Sequence, residues 1–311
     1  MNLLLLGDCH FSNRRPCNRR DENYFETMIS KFRQVLTIYR EYECSELIQV
    51  GDFFDSPMIS NEVIARIINE SHECLTHPIR CIYGQHDIFS HSAATIIKSP
   101  LAILEAAKII TILDDDGFVL PDSNVKIYGA SFGKPIPTPT KSADNEFLIL
   151  VHHGMIGAKD IYPGQNITKP DSFLSQYSMY DLIVCGDYHW SFDCVIGDRV
   201  ILNSGCIIRK TVAENDINHV PGVYLFNTQT REYSRVLLDV LPSEEVLNIT
   251  DKESHEPSRD LLDLISAISM QEGKKVSWKH LLYQYLEEHN VDKSIIDLIE
   301  KCIGEAACQQ N

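Results

Sequence analysis

Short apolar runs recur along the first 240 residues, with longer amphipathic stretches between them. The runs at 3–6, 47–50, 79–83, 109–113, 125–128, 147–151, 182–185, 200–202, 222–226 and 234–240 are brief and rich in branched side chains. That length and content predict buried strands and not helix fragments. Residues 23–42 instead carry Phe25, Met28, Ile29, Phe32, Val35, Leu36 and Tyr39 at helical spacing, and 61–74 and 100–107 read as helices too. Strand–helix–strand alternation through the first half, then strand-rich sequence to about residue 241, predicts a layered α/β architecture. The stretch KPIPTPTK at 134–141 holds three prolines in eight residues and must be a loop.

Beyond Pro242 the character changes. Ser258 can cap a helix bearing Leu261, Leu262, Ile265 and Ile268 on one face. Ser277 can cap a second with Leu281, Leu282, Tyr285 and Leu286, and 294–303 forms a third that Gly304 ends. The expected organisation is therefore one domain over 1–242 and a small helical C-terminal appendage over 243–311.

Composition narrows the class. With 311 residues, 44 % hydrophobic and 23 % charged, the chain suits a soluble globular protein with a sizeable core. No apolar run approaches the roughly 20 residues of a membrane span, so no membrane partner is expected. The start MNLLLLGDCH lacks a basic leading region, which argues against a signal peptide. The ten cysteines contain no CxxC pair, and several sit inside apolar runs. They read as reduced, mostly buried thiols of a cytoplasmic protein. The formal charge of −16 weighs at first against a nucleic-acid ligand. The acidity is uneven, however: residues 241–311 hold 14 acidic against 7 basic side chains, whereas residues 1–40 hold 7 basic against 4 acidic.

The chemistry lies where the strands end. Successive apolar runs deliver Gly7-Asp8-Cys9-His10, Gly51-Asp52-Phe53-Phe54-Asp55, Gly84-Gln85-His86-Asp87, His152-His153-Gly154 and Gly186-Asp187-Tyr188-His189. Open α/β sheets assemble their sites at the carboxyl ends of strands, so these groups can converge although 180 residues separate them. Each block alone is weak: a DxH is mostly chance, and GDxxD often marks only a helix cap. Their order, shared context and complementary donors argue against coincidence. Oxygen and nitrogen donors without thiolate suit Mn²⁺, Fe²⁺, Zn²⁺ or Mg²⁺. A pair of such ions clamps a phosphate and activates water.

These five blocks resemble the signature motifs of the calcineurin-like metallophosphoesterase superfamily, whose pattern is DxH, GDxxD, GNHD/E, a lone His and GHxH. Within it the chain is most similar to SbcD-type subunits of DNA double-strand-break-repair nucleases. The resemblance implies a four-layer α/β/β/α sandwich and manganese-dependent phosphodiester hydrolysis, with Mg²⁺ as the other candidate ion. It implies Asp8, His10 and His189 on a first metal, Asp52 bridging, and Gln85, His152 and Asp187 on a second. His86 would be the histidine that faces the scissile phosphate. His153 is the alternative to His152, with Gly154 favouring the earlier residue. Two positions depart from the pattern: Gln85 stands where the family has Asn, and Asp187 where it has His. Both fall on the second metal, and a harder donor there should shift preference toward Mn²⁺ or Mg²⁺.

Four arginines, Arg14, Arg15, Arg19 and Arg20, follow the first motif within seven residues, and Arg209 adds a cation later. They are candidates for phosphate contacts, or else a solvated loop answered by Asp21 and Glu22. Phe11, Tyr188 and Trp190 are candidates for stacking on bases. The resemblance implies DNA as substrate and an SbcC-type ABC ATPase as partner of the C-terminal helices, with a homodimer as a further possibility. Two other functions fit the same motifs: a small-molecule phosphodiesterase or phosphatase, and a catalytically weak nuclease-like scaffold.

Overall fold

The computed structural model describes residues 1–140, 145–161 and 167–249. One compact unit takes in Met1–Ile161 and Asn166–Asp251; the other, Tyr162–Gln165 with Lys252–Asn311, lies outside the described residues, as do the three helices expected after Ser258. No helix among the described residues is long and apolar enough to cross a membrane.

Two six-stranded sheets make the centre. The first joins β1 (Asn2–Leu6), β2 (Glu46–Gln49), β3 (Ile79–Cys81) and β4 (Ile110–Ile112) in parallel, and adds β11 (Gly222–Asn227) antiparallel beside β1, with β12 (Tyr233–Leu237) antiparallel to β11 at the edge. The second runs in the order β5 (Phe118–Val119), β6 (Val125–Ala130), β7 (Phe147–His153), β8 (Leu182–Gly186), β10 (Arg199–Asn203), β9 (Phe192–Ile196). Its four central strands are parallel, and β5 and β9 are antiparallel edges. The chain pattern misses β5 and β9. The first is only two residues long, and the second alternates half-buried with exposed side chains, so neither presents an apolar run.

Strand alternation decides the layers. Leu3 and Leu5 of β1 meet Ile149, Val151, Leu182, Val184 and Leu202 of the second sheet, forming the core between the sheets. Leu4 and Leu6 face the other way, against α1 (Tyr24–Glu41), α2 (Asn61–Cys74) and α3 (Pro100–Ala106). Behind the second sheet, Leu148, Leu150, Ile183 and Ile201 pack on Phe173 and Leu174 of α4 (Pro170–Gln176). The result is the α/β/β/α sandwich expected. α1 begins at Asn23, whose side chain caps the Glu26 N–H, and buries Phe25, Met28, Ile29, Phe32, Val35 and Leu36 as the spacing predicts. Residues 134–140 are irregular, as their prolines require. After α5 (Glu214–Asn218), the segment past residue 242 continues on the same body. There α6 (Ser243–Val246) and fully buried Leu247 pack on the arginine loop, where the Arg20 N–H donates to the Val246 carbonyl.

Candidate metal centre

Every block identified in the sequence lies at the carboxyl end of its strand. Their glycines have a common steric cause: a Cβ at Gly84 would collide with the Asp52 carboxylate, and one at Gly186 with Asp8. Glycine is what lets each carboxylate lie against the neighbouring strand end. Three of the acid and imidazole residues, His10, Asp52 and Asp187, hold left-handed backbone at φ 50°, 49° and 78°. Such conformations cost about 1–3 kcal/mol each and persist only where the surroundings enforce them. Enforcement is visible here. The N–H groups of Cys9 and His10 both donate to the Asp52 carbonyl at 3.1 and 2.9 Å, and buried Asp87 accepts from the N–H groups of Phe53, Phe54 and Gly84.

Side chains from both sheets then converge. His10 Nε2 lies 3.1 Å from His189 Nε2 and 3.8 Å from Asp52 Oδ2, and His189 Nε2 lies 3.7 Å from Asp8 Oδ2. Asp52 Oδ2 is also 3.6 Å from His153 Nε2 and 3.9 Å from His86 Nε2. Asp8, His10 and His189 each offer an atom within 4.8 Å of the others, and so do His10, Asp52 and His86. Asp8, His10, Asp52 and His153 are buried, whereas the His86 side chain is 43 % exposed at the mouth. Six buried side-chain atoms among the described residues lack a hydrogen-bond partner, and four of them belong here: His10 Nδ1, Asp52 Oδ2, Gln85 Oε1 and His153 Nε2. Concentrating unpaired buried acceptors and imidazole nitrogens in one spot is costly unless something positive answers them. The donor set therefore fits divalent cations.

Electrostatics say the same. Burial pushes the Asp8 carboxyl well above its usual range, with Asp52 and Asp187 adding to the rise. Burial drives His10 well below 6.5, and also lowers His189, with Lys210 contributing to both. Burial would lower His153 as well, but Asp52 beside it outweighs that and holds it at about 10. In return His153 keeps Asp52 below 3.8 despite the burial that opposes it. The metal-free site thus makes His153 its own cation.

The histidine pair requires a correction. Strand β7 runs through both residues, and parity puts His153 on the inward side with Ile149 and Val151. Its Nδ1 bonds the Val50 carbonyl at 2.7 Å, which aims Nε2 at Asp52. His152 faces the outer layer, stacked on Phe173 with ring centroids 5.4 Å apart and Nδ1 on the Ala130 carbonyl. It is a core-edge residue, not a pocket residue.

Asp187 also departs from expectation. Its carboxylate takes the Gln85 Nε2–H at 2.7 Å, while its own N–H donates to Asp8. The two positions that deviate from the family pattern are therefore hydrogen-bonded to each other.

The arginines are mostly spent. Buried Arg19 makes a bidentate bond to Asp21 at 2.7 Å and reaches the Arg209 carbonyl. Buried Arg209 holds the His219 and Leu241 carbonyls, Arg20 holds Asn248, and Arg15 holds the Asp21 carbonyl. These four tie the loop and the strand ends together, so they are structural cations. Arg14 alone of the five keeps its side chain free of protein partners among the described residues. Phe11 is fully buried against Phe32 and Phe53, so it cannot stack on a base; half-buried Trp190, whose indole N–H donates to Asp216, lines a groove with Tyr188. Asp55, unassigned from the sequence, sits 3.5 Å from His10 Nδ1 and pairs with Lys210, and its carbonyl faces His86 Nδ1 at 3.0 Å. Its place as the last residue of GDFFD was the available signal.

Neither a family model nor a curated protein sequence matches the chain. Solved structures do. An archaeal phosphodiesterase is 16 % identical over 76 % of this chain and 100 % of its own, at a TM-score of 0.41. A dimetal phosphatase from Danio rerio is 12 % identical over 72 % of this chain and 91 % of its own, at 0.47. A putative 5'-nucleotidase from Staphylococcus aureus is 15 % identical over 86 % of this chain and 58 % of its own, at 0.46. All three fall below 25 % identity and a TM-score of 0.5, so the functional reading rests on the residues themselves.

Proposed function

We propose that this protein is a two-metal phosphoesterase that cleaves phosphodiesters. The observation that carries this reading is the gathering of Asp8, His10, Asp52, His153 and His189 within reach of one another, with Asp52 Oδ2 and His153 Nε2 buried and unpartnered. Asp8, His10 and His189 would hold one cation, His153 and the Gln85 carbonyl a second, and Asp52 lies within reach of both sets. Divalent ions bound there supply positive charge to a phosphate and a nucleophile competent at neutral pH. His86 is the group for the leaving oxygen. Its Nδ1 is occupied by the Asp55 carbonyl, which leaves Nε2, 3.9 Å from Asp52 Oδ2, to carry and deliver a proton at the mouth.

The finer reading is a manganese-dependent DNA nuclease subunit working with an SbcC-type ATPase. The long helix after the first block and the GDFFDSP turn support it; the motif order is common to the whole superfamily. A small-molecule phosphodiesterase is the second reading, and the engagement of four of the five candidate arginines favours it. Chelator-stripped full-length protein, reloaded with Mn²⁺ or Mg²⁺, should bind two ions and hydrolyse bis-p-nitrophenyl phosphate. His86→Ala should keep the ions and lose hydrolysis, whereas Asp8→Ala should lose both. Cleavage of labelled linear duplex, faster with the ATPase present, selects the nuclease; ester hydrolysis alone selects the small-molecule enzyme. Absence of metal-dependent hydrolysis on every substrate refutes the proposal.

A further inference from the structure

A groove of about 680 Å³ opens beside the metal centre, lined by Ser12, Asn13, Arg14, Asp55, Ser56, Met58, Ile59 and Ser60. Asp55 is shared: its carboxylate and carbonyl face His10 and His86, so the groove begins where the candidate centre ends. Its walls are pinned. The Asn13 amide donates to Ser60 Oγ at 3.0 Å, and the Asp55 N–H donates to the Phe11 carbonyl. These bonds fix the loop carrying Arg14 against the entry to α2.

Two features of this groove have no structural use. Arg14 is exposed and has no hydrogen-bond or ion-pair partner for its guanidinium among the described residues, although Arg15, Arg19 and Arg20 beside it are all engaged. Met58 is 64 % exposed on the same lining. A free guanidinium suits a phosphate, because it offers parallel N–H donors. An exposed thioether suits a flat aromatic ring.

We propose that this groove is a subsite for the nucleotide adjoining the scissile phosphodiester, with Arg14 binding that nucleotide's own phosphate and Met58 lying under its base. The inference rests on the phosphodiesterase reading and sharpens it: the substrate is a strand with at least one phosphate beyond the one cleaved.

The test compares Arg14→Ala and Arg14→Lys with the unaltered full-length, Mn²⁺-loaded protein. Three probes are used: bis-p-nitrophenyl phosphate, the dinucleotide TpT, and the trinucleotide TpTpT, which alone carries a second phosphate. The unaltered protein should prefer TpTpT over TpT in kcat/KM. Arg14→Ala should erase that preference, a loss on the order of 10- to 100-fold for one charge-assisted phosphate contact. It should leave bis-p-nitrophenyl phosphate within about twofold, and lysine should restore part of the loss. An equal loss on all three probes, or no TpTpT preference to begin with, overturns the subsite. Failure of the underlying reading shows separately, as no hydrolysis of bis-p-nitrophenyl phosphate by the unaltered protein. In that event fluorescence anisotropy with labelled TpTpT still decides, and binding that ignores Arg14→Ala overturns the groove assignment.

Discussion

In the proposed metal centre Asp187 would act through Gln85. The Gln85 amide has two ends: Nε2 donates to Asp187 Oδ1 at 2.7 Å, and Oε1 is buried without a partner. Flipping the amide would set two acceptors against each other at that distance, so the carboxylate fixes which end is left as the buried, unpartnered acceptor. A hydrogen bond to a charged group is worth about 1.5–3 kcal/mol. If that energy is what orients the donor, Asp187→Ala should weaken cation binding at this position on the order of 10- to 100-fold. Gln85→Ala should cost a similar factor, because it removes the donor itself. The double variant should bind no more weakly than the worse single variant, since Asp187 has nothing left to orient. Mn²⁺ titration of chelator-stripped protein by calorimetry reads all four corners of this cycle. Additive losses would refute the reasoning and make Asp187 a ligand in its own right.

Three further outcomes follow from the same packing. His153→Ala should reduce the bound Mn²⁺ per chain, whereas His152→Ala should leave it unchanged and lower only the unfolding midpoint; elemental analysis beside thermal melts separates the two. Glu46 and Arg80 form a bidentate pair, both nearly buried, with Arg80 4.0 Å above Phe118. Glu46→Ala should therefore cost about 3–5 kcal/mol in urea melts by stranding the cation, and Glu46→Leu with Arg80→Met should recover most of it. Burial and the nearby Arg235 and Arg209 depress His219 to about 4, and its Nε2 is on the Cys206 carbonyl. The unfolded chain binds this proton from about 6.5 downward and the folded one only near 4, so stability falls as pH drops through that window. Roughly 2 kcal/mol should be lost from this group between pH 7 and 5, and His219→Gln should flatten that part of the profile in urea melts at the two pH values.

The apolar runs located ten of the twelve strands because buried parallel strands are continuous in Leu, Ile and Val. The same continuity hid their orientation. In FLILVHH every position is apolar before the histidines, so the chain gives no polar face from which to tell inward from outward. Parity became decisive only once Ile149 and Val151 were seen packing on the first sheet, and it moved the pocket histidine from 152 to 153. The arginine cluster misled for a different reason. Charge density is visible in a sequence, but the acceptors that consume it are not: Arg19 is answered partly by a carbonyl 190 residues away, and Arg20 by Asn248 across 228. Asp55 and Asp87 were legible as letters of their motifs, yet their roles as rim and as loop cap depend on which N–H groups the fold brings to them.

The acidity of the chain takes on a different meaning at the site. Asp8 and Asp52 approach each other with only His153 as an internal cation, while His10 and His189 are held neutral by burial. His10, Asp52 and Asp187 meanwhile hold left-handed backbone. The crowded carboxylates and unpartnered acceptors raise the free energy of the metal-free fold and would be relieved by a cation placed among them, whereas the left-handed backbone is held by the loops' own hydrogen bonds. Protonating the carboxylates would relieve only the charge, and would leave Gln85 Oε1 unanswered. The side-chain cation already present, His153, lies against Asp52, and Lys210, a basic group close to the rim, is paired with Asp55. What the strand ends have assembled is therefore a donor set that fits a small divalent ion. The local excess of base in residues 1–40 then acts outside that donor set, where Arg14 remains free to meet the phosphate that follows.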